Sequence, residues 1–314
     1  MSTYVIENAK KFGDLSVITE APDSATLLIH DGNGVKTISV ANFKSSLQTL
    51  IESSTTELNN AIDEVSAANT ALQAMVDAIA ADGAGAHNAI YRGKYLGSAV
   101  TSAQYAAISA GTFDDMYIGD YWTIGGINYR IAAFDYYYRT GDTECTQHHI
   151  TLVPDTSLYT HVMNDTNVTD GAYVNSKMYT TGLATAKSTI NTAFGSAHIL
   201  NHRQYLKNAT TNGYESGGSW YDSTVELMTE QNVYGGIAFA HTSSGTALPA
   251  AYTIDKSQYP LFALNPYMIS NRQTFWLRDV VSAAGFARVD GSGGCYGNYA
   301  SGDGGVRPAF SIVS

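Results

Sequence analysis

The densest run of chemically competent side chains is Glu144-Cys145-Thr146-Gln147-His148-His149. The Cys145–His148 spacing permits a thiolate–imidazole pair, provided a third group orients the imidazole. Zinc sites use spaced ligands, and adjacent histidines on a strand face opposite ways. The better reading of this run is therefore polar residues at a strand end that stabilise a fold. His198, His202 and His241 read as isolated. Asp114, Asp115 and Asp120 offer oxygens to calcium without the twelve-residue spacing of an EF-hand loop. DGSGG (290–294) and GDGG (302–305) are glycine-rich, but neither carries the Lys-Ser/Thr of a phosphate loop. No triad, paired-carboxylate site or dinucleotide fold emerges. The expectation is a non-enzyme with no cofactor and no metal.

A binding protein is the natural alternative, and composition narrows its partners. The 314 residues carry a net charge of −11, and only 14% are charged, against roughly 25% in an average chain. An acidic chain lacks the basic footprint that displaces counterions from phosphates, which excludes nucleic acid. No stretch reaches the roughly 18 to 20 apolar residues of a membrane span, so no membrane insertion is expected. The opening MSTYVIENAKKFGDLSV has no apolar core or small-residue cleavage site, and synthesis in the cytoplasm is expected. Cys145 and Cys295 lie far apart and read as two free thiols rather than a disulfide framework.

The elements that would carry a binding surface fall into three textures. Residues 1–44 contain two short strands, 26–30 and 35–40, joined by Asp31-Gly32-Asn33-Gly34, which tolerates the positive φ of a hairpin turn. A lone hairpin is marginal in water and needs a neighbour. From residue 45 to 82 the period changes. Leu47, Ile51, Ser54, Leu58, Ala61, Val65, Ala68, Leu72, Met75 and Ile79 follow at alternating spacings of 4 and 3, the seam of a left-handed coiled coil. At about 1.5 Å per residue the rod is roughly 50 Å long. Residues 45–91 hold no Lys or Arg, so Glu52, Glu57, Asp63, Glu64, Asp77 and Asp82 repel one another without flanking ion pairs. An amphipathic helix packed on its own domain is one reading, but strict 3/4 spacing over 33 residues favours a self-associating stalk. DGAGA (82–86) ends it, within a linker placed at 83–96.

Residues 97–314 read as an α+β head. Apolar runs at 116–124, 127–134, 150–154, 236–240, 286–290 and 307–313 predict strands, and 102–109 and 185–194 predict helices, the second continuing toward 196–210. Tyr136, Tyr137, Tyr138, Tyr214, Trp220, Tyr221, Tyr252, Tyr259, Tyr267, Tyr296 and Tyr299 stand among Gly, Ser, Asn and Asp. Tyrosine among small polar residues is the composition of antibody-type contact surfaces, because its ring gives stiff, half-polar area for two rotatable angles. Tyr136–Tyr138 read as core fillers. The stretch 293–305 has so little apolar bulk that it is expected on the surface.

The blocks TFWLRDV (274–280), AGFARV (284–289) and GVRPAFSI (305–312) resemble the end of C-type-lectin-like domains in gut-bacteriophage tail proteins. There, two such strands bracket a variable loop. IYRGKYLGS (90–98), DDMYIGDYWT (114–123) and TLLIHDGNGVK (26–36) are similar to the opening of the same family. The resemblance implies an α+β chain with a short N-terminal β segment for virion attachment, a trimeric coiled-coil stalk and a C-type-lectin-like head. It further implies a homotrimer docked through its N-terminus on tail or baseplate proteins, at the phage tail tip of the virion, binding a bacterial surface receptor of protein or glycan. By analogy with variable proteins diversified by retroelements, the contacts fall in 279–303, on Asp279, Val280, Ser282, Phe286, Arg288, Asp290, Ser292, Cys295, Tyr296, Asn298, Tyr299, Ser301 and Asp303. The Glu-Pro-Asn, Gln-Pro-Asp and Trp-Asn-Asp tripeptides of calcium-bridged sugar sites are absent, and a lectin-like fold alone does not imply glycan binding. Two other readings stand beside this one. One is a tail-associated enzyme, a depolymerase or a formylglycine-enzyme-like oxidase built around Cys145, His148 and His149. The other is a passive structural protein of the virion.

Overall fold

The computed structural model describes residues 22–30, 32–80, 83–240 and 257–314, and of Ile29, His30 and residues 77–80 the backbone path only. The expectations for residues 1–21, Asp31, Asp82, His241, Tyr252 and the side chain of Ile79 lie outside the described residues. The chain is mixed α+β and divides into two compact units, 1–76 and 77–314.

In the first unit β1 (Thr26–His30) and β2 (Val35–Ser39) pair antiparallel from Thr26↔Ser39 to His30↔Val35. Gly32 and Gly34 take φ of 85° and 147° in the turn, a region other residues enter at a steric cost. The helix α1 (Val40–Ala80) follows directly. Val40 donates to the Ala25 carbonyl at 2.8 Å, and the Ser39 hydroxyl accepts from Asn42 N–H at 3.1 Å, which closes the first turn onto the hairpin. Along the helix Leu47, Ile51, Leu58, Val65, Leu72 and Met75 are all exposed, the last five by 61–65%. An α-helix whose apolar seam faces water draws nothing from hydrophobic burial.

The second unit holds two main sheets. The larger runs in the order β10 (Val225–Leu227), β15 (Pro308–Ile312), β6 (Ile150–Pro154), β5 (Ile127–Phe134), β4 (Tyr121–Ile124), β3 (Tyr95–Gly97). β6 is buried throughout, and β5 is buried from Tyr129 onward, as suits central strands covered on both faces. The other sheet runs β13 (Cys295–Tyr299), β12 (Gly285–Val289), β11 (Phe275–Ser282), β14 (Asp303–Val306), β7 (Tyr159–Val162). The GVRP block joins the two sheets, because β14 and β15 belong to different ones. At the crossing the buried Arg307 guanidinium donates to the carbonyls of Pro154 (2.8 Å) and Met268 (3.0 Å) and lies over the Phe275 ring. Burial lowers its pKa to about 10. Trp276 of the TFWLR block is fully buried and donates its indole N–H to the His161 carbonyl at 2.8 Å. The residues behind the resemblance thus tie sheets together.

Two expectations are corrected. Residues 83–96 are no linker. His87, in a short turn of helix (Ala84–His87), is buried against Phe113, Tyr117 and Phe134, and Asn88 exchanges hydrogen bonds with the Phe134 backbone. Arg92 pairs with Asp115 and with the buried Asp120. Nor does the helical pattern extend through 196–210. The helix α4 (Ala184–Phe194) stops at Gly195, and β8 (His202–Thr211) pairs with β9 (Tyr214–Ser223) in a long hairpin. His202, Gln204 and Leu206 are buried while Arg203, Tyr205 and Lys207 are not. That is a period of two, hidden in the sequence because two of the three inward residues are polar. The helix α3 (Ser102–Ala110) forms where expected, opened by a Thr101–Gln104 capping box and closed by Gly111 at φ 70°.

Candidate functional site

The chemistry-bearing cluster does not assemble a nucleophile. The Cys145 thiol donates to the Gln147 carbonyl at 3.8 Å, and burial raises its pKa, so the sulfur is held as a neutral thiol. His149 accepts from Tyr137 N–H at Nε2 (2.9 Å) and faces the Gln147 carbonyl at Nδ1 (2.9 Å), which fixes its neutral tautomer. Burial lowers its pKa further. His148 pairs through Nδ1 with Asp135 at 2.6 Å and stacks on Tyr138. These groups satisfy a buried turn. Asp115 and Asp120 are taken by Arg92 and Lys94, with the Asp120 carboxylate also accepting Lys94 and Tyr117 N–H. His198 and His202, four apart, share no helical face, since one lies in a 3-10 turn and the other begins β8. Among the described residues no group of three His, Cys, Asp or Glu side chains is placed to hold a metal ion.

Residues 279–303 run from the end of β11 through β12 and β13, and burial sorts the expected contacts. Val280 and Phe286 are fully buried. Their side chains cannot touch a partner, and they leave the contact set. Ser282, Ser292, Tyr296, Tyr299, Ser301 and Asp303 are exposed, while Arg288, Asp290, Cys295 and Asn298 are half-buried. Asp290 shapes the hairpin tip. Its Oδ1 accepts Ser292 N–H (2.9 Å), Ser292 O–H (2.7 Å) and Gly294 N–H (2.9 Å), and the Ser292 hydroxyl holds its pKa below the usual carboxylate range. Ser301 bonds Asn167 Oδ1 through its hydroxyl at 2.7 Å. The expectation of an exposed 293–305 fails at Ala300, which is fully buried, and again at its end. Gly304 and Gly305 are buried, and a Cβ on Gly304 would come within 2.5 Å of Trp276 Nε1. These glycines serve packing, not phosphate. Tyr259, grouped with the contact tyrosines, is also buried, as are Tyr136 and Tyr137.

Beside this hairpin an open groove of about 270 Å³ is lined by Phe239, Val281, Ser282, Gly285, Gly297, Asn298 and Tyr299. Tyr299 is 64% exposed and Phe239 46%. No charged side chain lines it. Residues 236–240, expected as a strand, take an irregular path held by one carboxylate. The helix α5 (Glu230–Tyr234) starts at a Thr229–Asn232 capping box, which places Glu230 in its first turn. Glu230 is fully buried and accepts Ala238 N–H (2.6 Å) and Phe239 N–H (2.9 Å) at Oε2, and Ala240 N–H (2.9 Å) at Oε1. The Cys295 thiol donates to the same Oε1 at 3.3 Å. Burial first, then the Glu230 charge, raise the Cys295 pKa, so this thiol too is neutral.

The Asp279 carboxylate lies under the surface, where it accepts Glu230 N–H at 2.7 Å. Burial raises its pKa well above the carboxylate range, and the nearby charges of Glu215 and Glu230 add to that. Glu215 accepts Val280 N–H at 3.1 Å and is itself raised by burial. Asp279 therefore bonds the first residue of α5, Glu230, whose carboxylate in turn holds Phe239 N–H at the groove. Glu230, Glu215, Phe239 and Val281 escape sequence reasoning. Only the capping box around Glu230 leaves a signal, and it speaks of a helix start. Comparison with protein-family models, curated proteins and solved structures gave no match.

Proposed function

We propose that the chain is a phage tail receptor-binding protein, a homotrimer whose C-type-lectin-like heads present a Tyr/Gly-rich surface to a bacterial receptor. The observation that carries the reading is the open, uncharged groove at the 279–303 hairpin. Tyr299, Ser282 and Asn298, all expected contacts, rim it together. An exposed aromatic beside bare glycine backbone, with an amide and a hydroxyl at the rim, is a surface suited to recognition. The exposed seam of α1 supports the assembly. Its apolar residues gain burial against other copies of the same helix, and β1–β2 would dock on the tail. Three weak sites that engage together raise avidity by about 10² to 10⁴, which lets a single shallow groove suffice.

The test is competition. Purified full-length chain added to host cells before phage is expected to block adsorption, and Tyr299→Ala is expected to need about tenfold more protein for the same block. A wild-type chain that leaves adsorption unchanged contradicts the reading. Host polysaccharide degraded by the wild-type chain, and spared by a Cys145→Ala/His148→Ala/His149→Ala variant, would favour a tail enzyme instead.

A further inference from the structure

The groove opens onto the edge of a sheet. Among the described residues β13 has β12 on one side and no strand on the other. The two strands pair without a bulge from Gly285↔Tyr299 to Val289↔Cys295. At the two ends of this ladder Ala300 donates to the Ala284 carbonyl and Asp290 to the Gly294 carbonyl, both at 2.9 Å. Bonded and non-bonded pairs alternate in an antiparallel ladder. Residues 294, 296, 298 and 300 therefore bond across to β12, and the amides and carbonyls of Cys295, Gly297 and Tyr299 point away from it. Among the described residues, one of these outward groups is engaged, the Tyr299 carbonyl, which accepts Gly302 N–H at 2.9 Å.

This row is continuous with the groove. Gly297 belongs to both, and a Cβ there would stand 2.7 Å from Val281 Cγ2 and 3.2 Å from Phe239 Cε1. Glycine is required there because these two side chains of the groove pack against the strand itself. Outward amides and carbonyls repeating every second residue, about 7 Å apart, match the alternating donors and acceptors of an extended polypeptide. Sugar hydroxyls have no such alternation. The uncharged lining asks for an uncharged side chain. We propose, resting on the receptor-binding reading, that the β13 edge takes up an extended, uncharged segment of a host-surface protein as an added strand. One bulky side chain of that segment enters the groove between Phe239 and Tyr299, and backbone bonds form at Cys295, Gly297 and Tyr299.

Tyr299→Ala and Tyr299→Pro test this as a pair. Both delete the ring, and Pro alone also deletes the outward N–H, with no ladder bond to β12 lost. Binding of full-length chain is measured on host cells left untreated, digested with proteinase K, or oxidised with periodate. The expected result is loss after proteinase, retention after periodate, and Tyr299→Pro at least roughly fivefold weaker than Tyr299→Ala. Equal binding by the two variants, or loss after periodate alone, overturns the added strand and leaves receptor binding standing. Failure of wild-type chain to bind untreated cells instead removes the underlying reading. Should Tyr299→Pro not fold by circular dichroism, amide exchange of the wild-type chain decides. The Cys295, Gly297 and Tyr299 amides should slow about tenfold on adding host membrane-protein extract, and unchanged exchange overturns the proposal. A smaller assembled mass for Tyr299→Pro would make a second copy the occupant, and would overturn it too.

Discussion

Tyr299 and Phe286 lie on neighbouring strands of one hairpin and meet opposite fates, one 64% exposed at the groove and the other fully buried. Residue type alone does not separate them, since both are aromatic and both fall between the two strand motifs. Place in the sheet does, since Phe286 lies on β12 between two strands and Tyr299 lies on β13 at the sheet edge. The site was legible in the sequence as a region and illegible as a face. Asp279 shows the same limit, for a carboxylate expected at the surface turns out to be half-buried and bonded to Glu230 N–H. Its raised folded pKa carries a sign. The folded chain holds a proton there that the unfolded chain releases from about its ordinary value of 3.8. Stability from this group is therefore complete at acid pH and lost as pH rises through the folded value. The buried histidines act in the other direction. His202, its pKa lowered by burial to about 3, contributes fully above 6.5 and loses that contribution as pH falls toward 3. Thermal melting across pH is expected to show a fall on the acid side for wild type and Asp279→Asn alike. On the alkaline side Asp279→Asn should melt higher than wild type, with no gain at acid pH. Equal melting at every pH would mean that Asp279 is not strained when ionised.

At the scale of elements, α1 was the most legible part and the hairpin β8–β9 the least. Ten seam positions in unbroken 4–3 spacing leave a helix as the simplest reading of 47–79. β8 buries His202 and Gln204 beside Leu206, and a strand whose inward residues are polar sends no hydrophobic signal. The run 236–240 failed in the opposite way. It is apolar enough for a strand, yet Glu230 captures its amides in sequence, and a side chain that satisfies three consecutive N–H groups leaves no ladder to form. For α1 the decisive property is an apolar row in water. Replacing Leu58 and Leu72 together by Asp places charges on that row without touching the head. The double variant is expected to lose a large part of its helical circular dichroism and to fall to a smaller species, whereas Asn59→Asp, off the seam, should change neither. Retention of the wild-type mass by the double variant would show that the seam does not assemble the chains.

Taken whole, the molecule carries a helix with an exposed apolar row and an open, uncharged groove. Each feature makes sense of the other. In the proposed reading, a groove lined by Phe239, Val281 and Tyr299 provides modest affinity per copy, and joint engagement of several copies converts this into firm attachment. The central claim is that copies act together, and the most direct measurement is the mass of the purified full-length chain by sedimentation equilibrium at micromolar concentration. The account predicts a single species at three times the 33.6 kDa of one chain. A species at the mass of one chain would contradict it.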